Sequence, residues 1–194
     1  MQRKGSNYER EIAKKLSLWW SQGRRDDLCW RTAGSGARAH VRAKQDKLTE
    51  GHHGDLAATS SEMEPFFKLV TIEIKRGYNN TANLLNLLLD GNKKTKSKNT
   101  YNSFIIQSIA AAYRSGTRYW MLIHKPDRKE PIVFIPASFD IIMGFFFEKK
   151  MKPYAKITTK VTEFFIVPLD RFLQIAEPHE FVTAWEIING KWKQ

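Results

Sequence analysis

Three side chains in this sequence have types and spacing suited to chemistry on a phosphate: Asp55, Glu73 and Lys75. Thr71-Ile72-Glu73-Ile74-Lys75 alternates polar with apolar residues, the period of a strand that buries one face. That period puts Glu73 and Lys75 on one side, about 6.6 Å apart along the strand, and turns Ile72 and Ile74 to the other. Upstream, Gly54-Asp55 opens a second short apolar stretch. Hydrolysis of a phosphodiester needs an activated water and neutralisation of the charge on a pentacovalent phosphate. Magnesium supplies both when carboxylates hold it and leave positions open to water and phosphate. Adjacent carboxylates repel by about 4 kcal/mol at an effective dielectric near ~20, and a divalent cation reverses that penalty. Asp55 and Glu73 are therefore candidate ligands for Mg2+, and Mn2+ suits the same oxygens. A backbone carbonyl near Ile74 would add a third oxygen. Lys75 would orient the water or stabilise the developing negative charge. A Glu-x-Lys face is also common on exposed strands, where the pair adds only a few tenths of a kcal/mol. A Gly-Asp pair is also an ordinary turn element. The weight rests on the joint pattern.

Composition points the same way. The formal net charge of the 194-residue chain is +12, with an isoelectric point near 9.8. Such an excess fits a polyanionic partner. The basic residues are spread along the whole chain, which favours nucleic acid over a membrane surface. No apolar run reaches the ~18 residues a membrane span needs: Asp140 and Gly144 interrupt Phe139–Phe147. The N-terminus lacks the apolar core of a secretory signal. Cys29 is the single cysteine, so disulfides within the chain and thiolate-rich zinc sites are excluded. A cytoplasmic location is expected, in the host cell if the chain is phage-encoded.

Several elements must position these side chains. A helix is expected over Asn7–Gln22, with Ile12, Leu16 and Trp19 as its apolar stripe, Ser6 or Asn7 as its cap and Gly23 as its end. Leu28–Thr32 reads as a short strand and Ala33-Gly34-Ser35-Gly36 as a turn. Residues 37–53 read as a polar, basic excursion. Gly54–Ala58 begins a strand, a hairpin-like connection follows, and Lys68–Lys75 is the clearest strand of the chain. Further helices are expected over Ala82–Leu89, Tyr101–Ser115 and from Pro136 to about Lys149. Strands are expected at Tyr119–His124 and Ile132–Ile135, with another strand or a hairpin within Ala155–Val167. Asp170–Ile175 and Phe181–Trp185 read as short helical pieces. The order argues a mixed sheet with helices on its faces.

The pattern Gly54-Asp55 … Glu73-Ile74-Lys75 resembles the PD-(D/E)xK nuclease superfamily, with Gly54 where proline is often found. Lys4-Gly5-Ser6-Asn7-Tyr8-Glu9-Arg10-Glu11 resembles the opening of archaeal-type Holliday junction resolvases and their phage relatives. Trp30-Arg31-Thr32-Ala33-Gly34-Ser35-Gly36 resembles their Arg-…-Gly-Ser-Gly segment. The resemblance covers roughly residues 3–76 and extends to the helix through Gln107; residues from about 125 onward carry no part of it. It implies that Glu9 completes the metal site and that Arg31 and Ser35 lie near the scissile phosphate. It also implies a junction-resolving homodimer whose two-fold symmetry presents two sites to branched DNA.

Other residues have competing readings. Glu11 rivals Glu9 for the metal. Gln107 is either a site residue, as the resemblance implies, or one polar residue of an amphipathic helix; Tyr113 follows it on the same helix. Lys93, Lys94, Lys96 and Lys98 form either a solvated loop or a contact to backbone phosphates, which a nuclease core favours. His52-His53 reads as a solvated loop. Trp19, Trp20 and Trp120 read as core or dimer interface, and Cys29 as a buried small residue. The expectation is one α/β domain over 1–194, with a restriction-endonuclease-like central mixed sheet flanked by helices. Its core spans about 3–124 and a C-terminal elaboration about 125–194. The expected activity is magnesium-dependent cleavage of DNA, with a Holliday junction as the expected substrate; a phage-type or restriction-type nuclease acting on other DNA, or a DNA-binding protein without catalysis, is the alternative.

Overall fold

The computed structural model of the chain describes residues 2–32, 54–89, 99–139 and 153–190. A first helix, α1 (Gln2–Trp20), leads to a two-stranded antiparallel ladder of β1 (Cys29–Arg31) and β2 (Leu56–Ala58). A single 3-10 turn (Ser61–Met63) and α2 (Glu64–Leu69) deliver the chain to β3 (Val70–Arg76). Helices α3 (Leu84–Leu89) and α4 (Tyr101–Ser115) precede β4 (Tyr119–Lys125) and β5 (Ile132–Pro136). β6 (Ala155–Thr158), β7 (Glu163–Pro168), α5 (Leu169–Ile175) and α6 (Pro178–Ile188) complete the described chain. The main sheet has five strands in the order β3-β4-β5-β7-β6. β3 and β4 are parallel, and the other pairs are antiparallel. This is the expected mixed sheet flanked by helices, a restriction-endonuclease-like α/β fold.

Alternation in the strands builds two cores. Val70, Ile72 and Ile74 of β3 join Met121, Ile123, Val133 and Ile135 on the face covered by α1, α2, α5 and α6. Trp120, Leu122, Phe134, Phe164 and Ile166 face the other way, against Phe104, Ile105 and Ala112 of α4. The stripe of α1 is Tyr8, Ile12, Leu16 and Trp20, spaced four residues apart along one helix face and all buried. Trp19 packs edge-on and Trp20 at a tilt against Phe66 and Phe181, and their indole N–H groups donate to the Ala176 and Glu62 carbonyls. The tryptophans are therefore core, as is Trp120. Cys29 is fully buried beside Ser17, and burial raises its thiol pKa to about 11.

Three local expectations are corrected. α1 begins at Gln2, so Ser6 and Asn7 lie inside the helix, and the Asn7 side chain accepts from Arg10. The segment before β3 is helical, because Ser60 caps the 3-10 turn and Pro65 fits the first turn of α2. β2 consequently pairs with β1, and no hairpin joins it to β3. Pro136 is the last residue of β5, where it needs no helical role, and the expected helix to Lys149 lies mostly outside the described residues. In contrast, α4 spans Tyr101–Ser115 as expected, with Thr100 and Ser103 capping each other at its start. Gly116 closes it in the left-handed conformation. Among the described residues, no helix is long and apolar enough to cross a membrane.

Candidate active site

β3 is the border strand of the main sheet, and Asp55 docks on its open edge. The Asp55 N–H donates to the Ile72 carbonyl at 2.8 Å, and its Oδ2 accepts from the Ile74 N–H at 2.7 Å. Thr32 braces this segment: its N–H donates to the Asp55 carbonyl at 2.9 Å and its hydroxyl to the Gly54 carbonyl at 2.8 Å. Gly54 is needed for the close approach. A Cβ there would stand 2.7 Å from the Ile72 carbonyl oxygen and 2.9 Å from the Thr71 methyl.

Glu73 and Lys75 share the face of β3 that looks toward α4. Lys75 Nζ donates to Glu73 Oε2 at 3.2 Å, and Gln107 on α4 donates to the same oxygen at 3.0 Å. Gln107 is thus brought to Glu73. Glu9 on α1 receives the Arg31 guanidinium at 2.8 Å from the other side of the cluster. Glu11 points elsewhere, toward Lys125 at 3.4 Å. Past Lys75 the chain turns at Gly77, whose left-handed φ of +83° suits glycine. Buried His124 locks that turn: Nε2 donates to the Gly77 carbonyl at 2.7 Å, so Nδ1 accepts from the Tyr101 hydroxyl at 2.8 Å. Burial holds the His124 pKa below its ordinary value. Ser35, Lys93, Lys94, Lys96, Lys98, His52 and His53 lie outside the described residues.

Electrostatics mark the cluster as short of positive charge. Burial, then the charge of Glu73, push the Asp55 pKa up to about 7, with a further contribution from Glu9. Lys75 and the Ile74 N–H oppose this without cancelling it. Burial also raises Glu73, while Lys75 and then Arg114 pull it back. Asp55 Oδ1 and Glu73 Oε1 accept no hydrogen bond from the described residues, so each carboxylate keeps one oxygen available. Hard oxygen donors, available lone pairs and a charge deficit fit a divalent cation. Among the described residues, no three His, Cys, Asp or Glu side chains converge into a complete cage. Magnesium does not require one, since it is commonly bound through one or two carboxylates and completed by water and substrate phosphate.

A family model described as "Phage putative PDDEXK endonuclease" matches residues 1–182. The chain belongs to this family. It is therefore a nuclease by family, and PD-(D/E)xK nucleases generally depend on divalent metal. The match extends beyond the helix ending at Ser115 and takes in β4 to β7, α5 and the start of the final helix. Searches of the curated proteins and of the solved structures return no match.

Two residues beside the carboxylate cluster carry no sequence signal of their own. Thr32 was visible only as a neighbour of Arg31, because its role depends on the unpredictable crossing of β1 past residue 55. Arg114 lies two helical turns beyond Gln107 on α4, so the i, i+7 spacing could have put it on the Glu73 face.

Proposed function

We propose that this chain is a divalent-metal-dependent DNA endonuclease and that its substrate is branched DNA, with a four-way junction as the leading form. The carrying observation is the pair Asp55–Glu73 at β3: a half-buried and a buried carboxylate, both raised in pKa, each with an available oxygen, beside Lys75. Asp55 and Glu73 would hold Mg2+ or Mn2+, which would activate a water and neutralise charge on the phosphate. Gln107 and Lys75 both bind Glu73 Oε2, and so fix the rotamer that presents Oε1. Lys75 Nζ is placed to hold the attacking water and to meet developing negative charge. Glu9, engaged by Arg31, would serve as a direct or water-mediated ligand of that metal. Arg31 can shift part of its charge to a phosphate oxygen when substrate arrives. Ser35, Lys93, Lys94 and Lys96 complete the phosphate contacts in this reading. The junction preference and a homodimer rest on the resemblance of the first 36 residues. The family's phage description favours a second reading, a phage nuclease acting on other DNA.

The test is cleavage of four-way, flap and linear DNA side by side, with and without magnesium, by wild type and Glu73→Ala. Metal-dependent cutting by wild type alone, strongest on the junction, is the expected result. Equal cutting of junction and linear duplex would leave the nuclease and remove the junction preference. Tight binding with every substrate left uncut would favour a DNA-binding protein without catalysis.

A further inference from the structure

A groove of about 620 Å³ runs along the open edge of β3 away from Asp55. Gly54 and Thr71, neighbours of the carboxylate cluster, line its near end; Phe67 and Trp185 line its wall, and Arg118 lies beyond the α4 terminus. The volume lies within the ~300–1,000 Å³ of sites that enclose ligands of nucleotide size. Its floor is strand backbone, and the alternation of β3 turns the Val70 carbonyl to the same edge as Ile72. The charge of the lining is positive. Lys68 is matched by Glu64 at 2.9 Å, whereas among the described residues no carboxylate pairs with Arg118, whose Nε donates to the Tyr119 hydroxyl at 3.1 Å. Arg114 stands four residues before Arg118, directly beside Ser115 of the groove. It is exposed and makes no hydrogen bond or ion pair among the described residues, yet its charge reaches Glu73.

We propose that this groove seats one nucleic-acid strand beside the scissile phosphate, with Arg114 and Arg118 contacting successive backbone phosphates. The proposal rests on the endonuclease reading for its orientation, since it names what lies next to the cleaved bond. Arginines are suited to this because their planar fork binds phosphate oxygens in pairs. Gly54 and Thr71 of the lining are chain neighbours of Asp55 and Glu73, so a strand lying in the groove would lead toward the cluster.

The experiment measures binding of a short fluorescent single-stranded DNA oligonucleotide in EDTA, where nothing is cut, over a range of salt. The proteins compared are wild type, the double variant Arg114→Ala/Arg118→Ala and the double variant Arg114→Lys/Arg118→Lys. Loss of two phosphate contacts should weaken binding about tenfold and make the log–log salt slope shallower by about 1.4, given ~0.7 per contact on single strands. The lysine pair should restore the slope. Unchanged affinity and slope in the alanine variant would overturn the proposal, including the case of a groove that binds an extended peptide instead. A loss that lysine fails to restore would overturn it too, since charge would not be what is recognised. Cleavage by wild type in magnesium is scored separately, so a groove that binds DNA beside a cluster that never cuts is a distinct outcome.

Discussion

Asp55 is held partly protonated near neutral pH by its own neighbours, and this has a measurable cost. Its ordinary pKa is 3.8 and its folded value is about 7. The unfolded chain therefore loses this proton first, and stability falls as pH rises from about 4 through about 7. Asp55→Asn removes the charge while keeping an oxygen for the Ile74 N–H. It should raise stability in EDTA at pH 8, on the order of 2 kcal/mol as read by a thermal melt, and leave it unchanged at pH 4. Magnesium should then stabilise wild type more than Asp55→Asn, a difference that thermal melts at several metal concentrations would read. Cleavage by wild type should climb as pH rises through 7, because a protonated Asp55 cannot bind metal. Lys75→Ala should abolish cleavage and leave junction affinity within several-fold, as measured by gel assays and binding isotherms. The placement of Glu73 beside Lys75 was legible in the sequence, because alternation puts both on one face of β3. The Asp55 pKa was not, since it depends on burial and on a neighbour eighteen positions away.

At the scale of elements, the site is a meeting of three pieces on one strand edge: α1 with Glu9, the Thr32–Asp55 crossing, and α4 with Gln107. The tight point is Gly54. Gly54→Ala would drive a Cβ into backbone at 2.7 Å, which β3 cannot yield without losing its register with β4. We expect cleavage to fall at least ~100-fold, with a stability loss of about 1–3 kcal/mol, checked by kinetics and a melt on the same preparation. Helix α4 was readable from end to end because Thr100, the apolar stripe and Gly116 agree. The segment between Ala58 and Val70 was not. Its Ser-Ser-Glu-Met-Glu-Pro run carries both turn and helix-start chemistry, and the choice was made by Met63 and Phe66 reaching the core. The same ambiguity hid the pairing of β2 with β1, since three-residue strands carry no period of their own.

For the whole molecule, a charge of +12 should dominate affinity. Binding to duplex DNA should fall by at least ~100-fold between about 50 and 200 mM salt, as expected for several phosphate contacts, and fluorescence anisotropy would measure it. The layered architecture could be inferred from element order, whereas the strand order could not: residues 132–168 supply three of the five strands, and nothing local says which edge of β4 they join. That order leaves β3 on the rim. An unpaired rim is a template onto which another chain can add a strand, and proteins keep such rims short or blocked. Here Asp55 occupies the hydrogen-bonding positions of Ile72 and Ile74. The residue read as a metal ligand is also the stopper against edge-to-edge self-association. An inactive protein made as Asp55→Ala would keep the backbone bond and lose the side-chain one, opening part of the rim. The asparagine form would keep it closed and is the safer one to concentrate.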